Sequence, residues 1–86
     1  MHRTTNRFWD CFSKLPKDVQ DVARENFELL KTDSKYPSLK FKKVGKFWSA
    51  RVSLNYRALA IKDGEDFVWV WIGAHDEYDR MIKMTK

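Results

Sequence analysis

Cysteine and histidine are nearly absent from this chain of 86 residues, which holds one cysteine, Cys11, and two histidines, His2 and His75. A lone thiol cannot close an internal disulfide, and a chain without disulfides is typical of the reducing cytoplasm. So few nitrogen and sulfur ligands do not suffice for a zinc site of the usual composition. We therefore predict a cytoplasmic protein that binds no metal.

Glycine and long apolar runs are scarce as well. The three glycines form no glycine-rich loop of the kind that binds nucleotide phosphates, so no cofactor is predicted. The longest apolar run, residues 67–74, is far shorter than the roughly 18 residues that a membrane span needs. The first residues also lack the apolar stretch of a signal peptide. We predict one domain over residues 1–86 and no membrane contact.

Positive charge is in excess, with a formal net charge of +5, and it is unevenly distributed. Residues 34–62 contain no acid, whereas residues 63–79 contain six acids and no lysine or arginine. A basic segment without acids is typical of a surface that binds a polyanion. The cations of this segment are Lys35, Lys40, Lys42, Lys43, Lys46, Arg51, Arg57 and Lys62.

The first third of the chain predicts two amphipathic helices. Apolar residues recur at helical spacing over residues 8–15, after a candidate N-cap at Thr5 or Asn6. A second apolar stripe runs over residues 19–30. Pro16 ends the first helix or opens the second, so the connection is short and the two helices form a hairpin.

The rest of the chain predicts strands and a short C-terminal helix. Alternating or continuous apolar residues, with an Asp-Gly turn before the last run, indicate a meander of strands. The predicted strands are residues 38–44, 45–54, 56–62 and 67–73, with a possible short strand at 2–5, and the helix is residues 76–84. We therefore predict an α+β fold, in which the helical hairpin packs on a small twisted antiparallel β-sheet. The sheet's other face is expected to carry the basic side chains of the middle strands.

Arg51 and Arg57 lie on successive predicted strands and are therefore expected to be close in space. An arginine presents a planar fork of donors that matches a phosphate group. Two such forks on one sheet face can hold a phosphate and neutralise the charge that builds on it during cleavage. The alternative is that each is a solvated charge on an exposed strand.

Four lysines near the predicted sheet edge are less specific. Exposed lysines at an edge strand also prevent aggregation, so their presence does not by itself indicate a ligand. We interpret them as residues that contact the phosphate backbone of a nucleic acid and add affinity without reading sequence. They are Lys40, Lys42, Lys43 and Lys46.

His75 follows the most apolar strand, in the segment "IGAHDEYDR". A histidine at the end of a strand is well placed for proton transfer near neutral pH. Tyr78, three residues later, can donate a hydrogen bond or stack on a base. The alternative is structural: His75 caps the last helix, and the acids Asp76, Glu77 and Asp79 favour its N-terminal turn.

Four segments resemble the RelE/ParE superfamily of bacterial type II toxins, over nearly the whole chain. They are "FWDCFSKLPKDVQDVARENFELLK", "YPSLKFKKV", "FWSARVSLNYRALAI" and "VWIGAHDEYDRMI". The most specific parts are the "YPSLKFK" joint, the "R-V-x-L-x-Y-R-A" hairpin and the "W-I-G-x-H-x-E-Y-D" ending.

The resemblance implies a compact toxin that is encoded beside an antitoxin protein, which wraps and blocks it. The RelE branch cleaves mRNA on the ribosome, in the decoding site of the small subunit, without a metal. The 2′-OH attacks the adjacent phosphate and gives a 2′,3′-cyclic phosphate and a 5′-OH. The ParE branch instead inhibits DNA gyrase.

The resemblance also assigns roles to individual residues. Arg57, in "NYR", matches an arginine that contacts the phosphate in the family's middle strand, and Arg51 matches a basic residue on the preceding strand. His75 lies where RelE-like relatives place arginine or histidine after the last strand, and Tyr78 matches, with a gap in the alignment, a tyrosine beyond that position. The chain departs from RelE at Ser49, where a lysine is expected.

Three functions fit these observations. The favoured one is a ribosome-dependent mRNA endoribonuclease that inhibits translation. A second is a gyrase inhibitor of the ParE type, without catalysis, for which His75 is a loop residue. A third is an inactive relative that binds only its antitoxin or nucleic acid. A histidine at this position serves a nuclease better than a gyrase inhibitor, which is why the first is favoured.

Overall fold

The chain forms a mixed β-sheet with helices on both faces, in a computed structural model that describes residues 1–33 and 37–85. This confirms the predicted α+β fold, with two N-terminal helices and a short C-terminal helix. The elements in chain order are β1 (His2–Thr4), α1 (Asn6–Ser13), α2 (Lys17–Thr32), a 3-10 turn (Pro37–Leu39), β2 (Lys42–Val44), β3 (Phe47–Ser53), β4 (Tyr56–Asp63), β5 (Asp66–Ala74) and α3 (His75–Thr85).

The two N-terminal helices begin where the sequence predicts. Thr5 has extended backbone angles, φ −114° and ψ 165°, and its side-chain oxygen accepts a hydrogen bond from the backbone N–H of Phe8. It is therefore the N-cap of α1, one of the two candidates. Pro16 is extended as well, with ψ 150°, and stands immediately before the first residue of α2. The two helices of the hairpin are thus joined by a short non-helical connection.

The strands lie in the order β1-β5-β4-β3-β2. The pairs β2–β3, β3–β4 and β4–β5 are antiparallel, but β1 runs parallel to β5, so the prediction of a purely antiparallel sheet is wrong at this edge. The predicted strand at residues 38–44 is also too long. Leu39 belongs to the 3-10 turn, and Lys40 has a φ of 46°, which no strand residue adopts.

Two hydrophobic clusters lie on opposite faces of the sheet. The larger one joins α1 and α2 to the sheet through buried residues that include Phe12, Leu30 and Trp69. The smaller one consists of Phe47, Leu59, Trp71 and Tyr78, together with half-buried residues of α3 and β5. The prediction that the second face is a basic surface is therefore wrong at its centre, because α3 folds back and covers it.

His2 anchors β1 to the sheet through its neutral imidazole. Its Nδ1 accepts a hydrogen bond of 3.1 Å from the indole N–H of Trp69, and its ring stacks on Phe67 with centroids 5.3 Å apart. Burial lowers the pKa of His2 below its ordinary value, and the positive charges of the chain's amino terminus and of Lys31 lower it further. The native fold therefore favours the uncharged form.

We expect acidification to destabilise the fold through His2. Because its pKa is lowered in the folded state, the unfolded chain binds more protons, so this contribution is complete above about pH 6.5 and is lost as the pH falls below that value. Urea denaturation at several pH values should show this fall for the wild type and a weaker one for His2→Gln. An unchanged slope in His2→Gln would contradict the assignment.

Candidate phosphate-binding site

Arg51 and Arg57 are paired directly across β3 and β4, and Gly73 of β5 is the partner of Arg57 on its other side. Because side chains alternate along a strand, both arginines lie on the face opposite Ala50 and Ala58, which belong to the helix-covered cluster. Directly opposed side chains have Cβ atoms roughly 4.5–5.5 Å apart, and like charges there repel. An anion between the two guanidinium groups would turn this repulsion into attraction, so the pair is suited to a phosphate.

The connection between β3 and β4 holds Arg57 in place. Its Nη1 donates hydrogen bonds to the backbone carbonyls of Ser53 and Tyr56, at 2.9 and 3.1 Å. These bonds use one nitrogen of the guanidinium and leave the remaining donors for a ligand. In the part of the chain that the structure describes, no carboxylate forms an ion pair with Arg57 or Arg51. The positive charge of the pair is therefore not neutralised within the protein.

His75 is the first residue of α3 and comes two residues after Gly73, the partner of Arg57. Its backbone N–H donates to the carbonyl of Asn55 at 2.7 Å, so the β3–β4 connection fixes the start of α3 as well as Arg57. The imidazole is half-exposed, and its Nδ1 lies 3.3 Å from a carboxylate oxygen of Asp79. A carboxylate at Nδ1 orients the ring and leaves Nε2 directed away from it.

Asp79 was not singled out from the sequence, where it was one of several acids in a helix. It lies four residues after His75, and residues with this spacing are neighbours on a helix surface. The spacing within "HDEYD" could therefore have identified the pair. The structural alternative placed His75 as the cap of the last helix, whereas it is the first residue of α3. This position is compatible with a role in proton transfer.

Tyr78 is 7% exposed and belongs to the cluster that α3 forms with Phe47, Leu59 and Trp71. A ring packed in this way cannot stack on a base, so this part of the prediction is wrong for the described conformation. The rings of His75 and Tyr78 have centroids 5.9 Å apart. The structure thus indicates that Tyr78 anchors α3 and supports the position of His75.

Only one of the four predicted RNA-binding lysines lies on the same face as the arginine pair and next to it. Lys42 is the partner of Ser49, which precedes Arg51 by two residues on the same side of β3. Lys43 is the partner of Trp48 and therefore lies on the other face. Lys42 can supply the positive charge that Ser49, which is 2% exposed, cannot.

The other two lysines lie beside β2 in the chain. Lys46 follows Gly45 in the turn between β2 and β3, and its ammonium group is 5.7 Å from the ring centroid of Phe47. Lys40 precedes β2 and is exposed. Together with Lys43, these residues form a positive sheet edge that is separate from the arginine pair.

Gly73 leaves room for the indole of Trp71. A Cβ atom at residue 73 would lie 2.5 Å from Trp71 Cζ2, so the indole extends along the strand over this glycine. The sequence did not identify Gly73 as special, because its role depends on the conformation of a side chain two residues away. Because Gly73 is the partner of Arg57 on β5, it places no bulky side chain beside the arginine pair.

Within residues 1–33 and 37–85, no three histidine, cysteine, aspartate or glutamate side chains are grouped so that they could hold a metal ion. Across the same residues, no helix combines the length and apolar character needed to cross a membrane. Cys11 is a free, half-buried thiol.

Solved structures of toxins share this fold. The RelB-RelE antitoxin–toxin complex of Methanococcus jannaschii matches with a TM-score of 0.72 and 16% identity, covering 91% of this chain and 96% of that one. The RelBE2 toxin–antitoxin complex of Mycobacterium tuberculosis matches with a TM-score of 0.66 and 22% identity, covering 87% and 96%. YafQ of Escherichia coli matches with a TM-score of 0.67 and 10% identity, covering 91% and 96%. At these identities the likeness shows a common fold.

The sequence itself matches a described family. No curated protein matches the chain. The family model of the ParE-like toxin domain, however, matches residues 17–80, from the start of α2 into α3. This range includes the arginine pair and His75, and it covers well over half of the chain. The chain therefore belongs to the ParE-like toxin domain family, within the RelE/ParE superfamily.

Proposed function

We propose that this toxin domain is a ribosome-dependent endoribonuclease that cleaves mRNA and so inhibits translation. The observation that supports the proposal is the opposed pair of Arg51 and Arg57, with His75 at the start of the adjoining helix. RNA cleavage without a metal requires groups that stabilise a charged phosphorus and groups that transfer protons. The arginine pair meets the first requirement, and His75 is suited to the second.

In the proposed reaction the ribose 2′-oxygen attacks the adjacent phosphorus, and a new P–O bond forms while the bond from phosphorus to the 5′-oxygen breaks. The 2′-OH loses its proton to a base, and the leaving 5′-oxygen gains one. The products are a 2′,3′-cyclic phosphate and a 5′-OH. Arg51 and Arg57 stabilise the negative charge on the non-bridging oxygens of the five-coordinate phosphorane, and His75 carries out one of the proton transfers. Asp79 positions the imidazole, and Tyr78 holds α3 against the sheet.

The lysines are proposed to bind the RNA of the complex. Lys42 lies on the face of the arginine pair and would contact the phosphate next to the scissile one. Lys40, Lys43 and Lys46 are exposed along the β2 edge and would contact the backbone of mRNA or ribosomal RNA in the decoding site of the small subunit. Such contacts strengthen binding without selecting a base sequence.

A cognate antitoxin is the proposed protein partner. Two of the structures with the same fold are complexes of a toxin with its antitoxin. A formal net charge of +5 on the chain fits an antitoxin segment of opposite charge. The proposed antitoxin would cover the arginine pair and so prevent access to RNA.

Inhibition of DNA gyrase without catalysis is the second candidate. It is favoured by the family model, whose description names a ParE-like toxin. For this function the arginine pair would bind a DNA phosphate or an acidic surface of the enzyme, and the pair of His75 and Asp79 would be structural. The two candidates therefore assign different consequences to the loss of the imidazole.

Brief expression of the toxin should distinguish the candidates. If it is an endoribonuclease, mapping of 5′ ends should reveal new ends within translated mRNAs, carrying a 5′-OH, while purified gyrase keeps its supercoiling activity. A gyrase inhibitor would stop supercoiling and leave the mRNA ends unchanged, which would refute the proposal. An inactive relative would have neither effect, and this too would refute it. An untranslated transcript with the same sequence is the control for dependence on the ribosome.

A further inference from the structure

An apolar cleft lies between the helical hairpin and the sheet, and Arg51 is among the residues that line it. It encloses about 340 Å³ and is lined mainly by apolar side chains of α1, α2 and the strands. Its walls include Phe8 and Phe12 of α1, while Ala23 and Leu30 come from α2. This volume lies in the range of pockets that bind small molecules.

Small residues create the floor of the cleft. Ala50 and Ala58 are direct partners across β3 and β4, and both line the cleft. Ala23 of α2 also lines it. Alanine methyl groups at these three positions occupy less volume than larger side chains would, which leaves space between the helices and the sheet. The cleft is therefore a consequence of the sequence at these three positions.

The cleft is lined by two arginines, Arg24 and Arg51, that form no ion pair with a carboxylate among the described residues. Arg24 lines the cleft and is exposed, and its guanidinium carbon lies 5.2 Å from the ring centroid of Phe12. Among the described residues, Arg24 forms no ion pair with a carboxylate. Glu28 also lines the cleft, but its carboxylate is 3.0 Å from the ammonium group of Lys31. The net character of the mouth is cationic.

We propose that the cleft binds a small anionic amphiphile, with a straight or aromatic apolar body between the helices and the sheet and a carboxylate at Arg24. An apolar cleft excludes a charged or highly polar ligand, whereas a cation at the mouth selects for one anionic group. Arg51 lines the cleft as well as belonging to the arginine pair, whereas Arg57 and His75 do not line it. Binding of the amphiphile is therefore measured on the protein alone, in the absence of RNA.

Decanoate is a suitable probe because its apolar chain is short enough for the cleft and remains monomeric at low concentration. Labelling the alanines with ¹³C allows the NMR signals of methyl groups inside and outside the cleft to be compared in one sample. The methyl groups of Ala23, Ala50 and Ala58 line the cleft, whereas those of Ala60 and Ala74 do not. Saturable NMR shifts of the first three, with smaller shifts of the other two, are expected. Octanoate, shorter by two methylenes, should bind roughly tenfold more weakly.

Three variants test the mode of binding. Ala58→Leu fills the floor and should abolish saturable binding, and Ala50→Val, a smaller change, should weaken it if the first variant does not fold. Arg24→Gln should weaken decanoate about threefold, as expected for an exposed ion pair. Lys17→Gln, a cation that pairs with Asp21 on the same helix, is the matched control and should change nothing.

Several outcomes would overturn the proposal. If decylammonium, which carries a positive charge, binds as tightly as decanoate, a role for the guanidinium of Arg24 in ligand binding is excluded. Equal shifts of all five alanine methyl groups, or binding that does not saturate, would indicate nonspecific adsorption. Binding that survives both Ala50→Val and Ala58→Leu in folded protein would place the ligand elsewhere.

Discussion

Replacing Arg57 with alanine is expected to reduce mRNA cleavage by about 10²–10³-fold, the effect of removing one donor to a developing anion. The loss corresponds to about 3–4 kcal/mol of transition-state stabilisation. It should be this large because Arg57 is held by the carbonyls of Ser53 and Tyr56 and needs no reorganisation when the charge develops on the phosphorus. The measurement is single-turnover cleavage of mRNA on programmed ribosomes.

The fold should tolerate this substitution. Arg57 is half-buried, and its removal also removes the repulsion with Arg51, so the unfolding midpoint in urea should change little. Arg57→Lys keeps the charge but loses the planar fork, and its activity should lie between those of the wild type and Arg57→Ala. Arg7→Ala is a matched control, because Arg7 is an exposed arginine of α1.

Coupling between the two arginines provides a sharper test than either variant alone. If both guanidinium groups contact one phosphate, the double variant Arg51→Ala/Arg57→Ala should lose less than the product of the two single losses. Independent, multiplicative losses would indicate that the arginines bind different phosphates. Full cleavage activity of Arg57→Ala in folded protein would exclude it from the site.

Local sequence patterns predicted the helices well because helix formation depends on neighbouring residues. The apolar spacing of α1 and α2 and the capping hydroxyl of Thr5 act within one or two turns of the chain. The turn at Gly64 is also local, since its φ of 61° is readily adopted by glycine. These elements were placed correctly without knowledge of the sheet.

Long-range packing explains where the sequence failed. Leu39 and Phe41 alternate with lysines as in a strand, but Leu39 is 1% exposed within the main cluster and lies in the 3-10 turn. The sheet face that was expected to carry basic side chains also holds Phe47 and Ser49, and both are buried because α3 folds over this side. The spacing of Tyr78, Met81 and Ile82 in the last helix indicates an apolar face, and this could have revealed the cover.

The candidate site was predicted in part. Arg51 and Arg57 could be paired from the sequence because a short connection joins their strands, and the structure places them directly opposite each other. The position of Lys42 beside the pair depends on the register of β2 against β3, which an alternating sequence does not determine. Whether these residues act on RNA stays a prediction.

Removing the imidazole of His75 is expected to lower cleavage by about 10²–10⁴-fold, the range for loss of a general acid or base. The half-exposed side chain packs only partly, so the fold of His75→Ala should persist. His2→Gln is the matched control: His2 is the chain's other histidine, and it lies in β1 beside Phe67. Its variant should cleave mRNA at the wild-type rate per folded molecule.

Chemical rescue distinguishes proton transfer from a structural role of His75. Imidazole added to His75→Ala should restore part of the cleavage rate, because the free base can occupy the space and transfer the proton, whereas it should not affect Arg57→Ala. Asp79→Asn should reduce the rate less than His75→Ala and add no further loss when the two are combined, since the carboxylate acts through the ring 3.3 Å away. Equal activity of His75→Ala and the wild type would exclude the histidine from catalysis, and failure of imidazole to restore any activity would assign it a structural role.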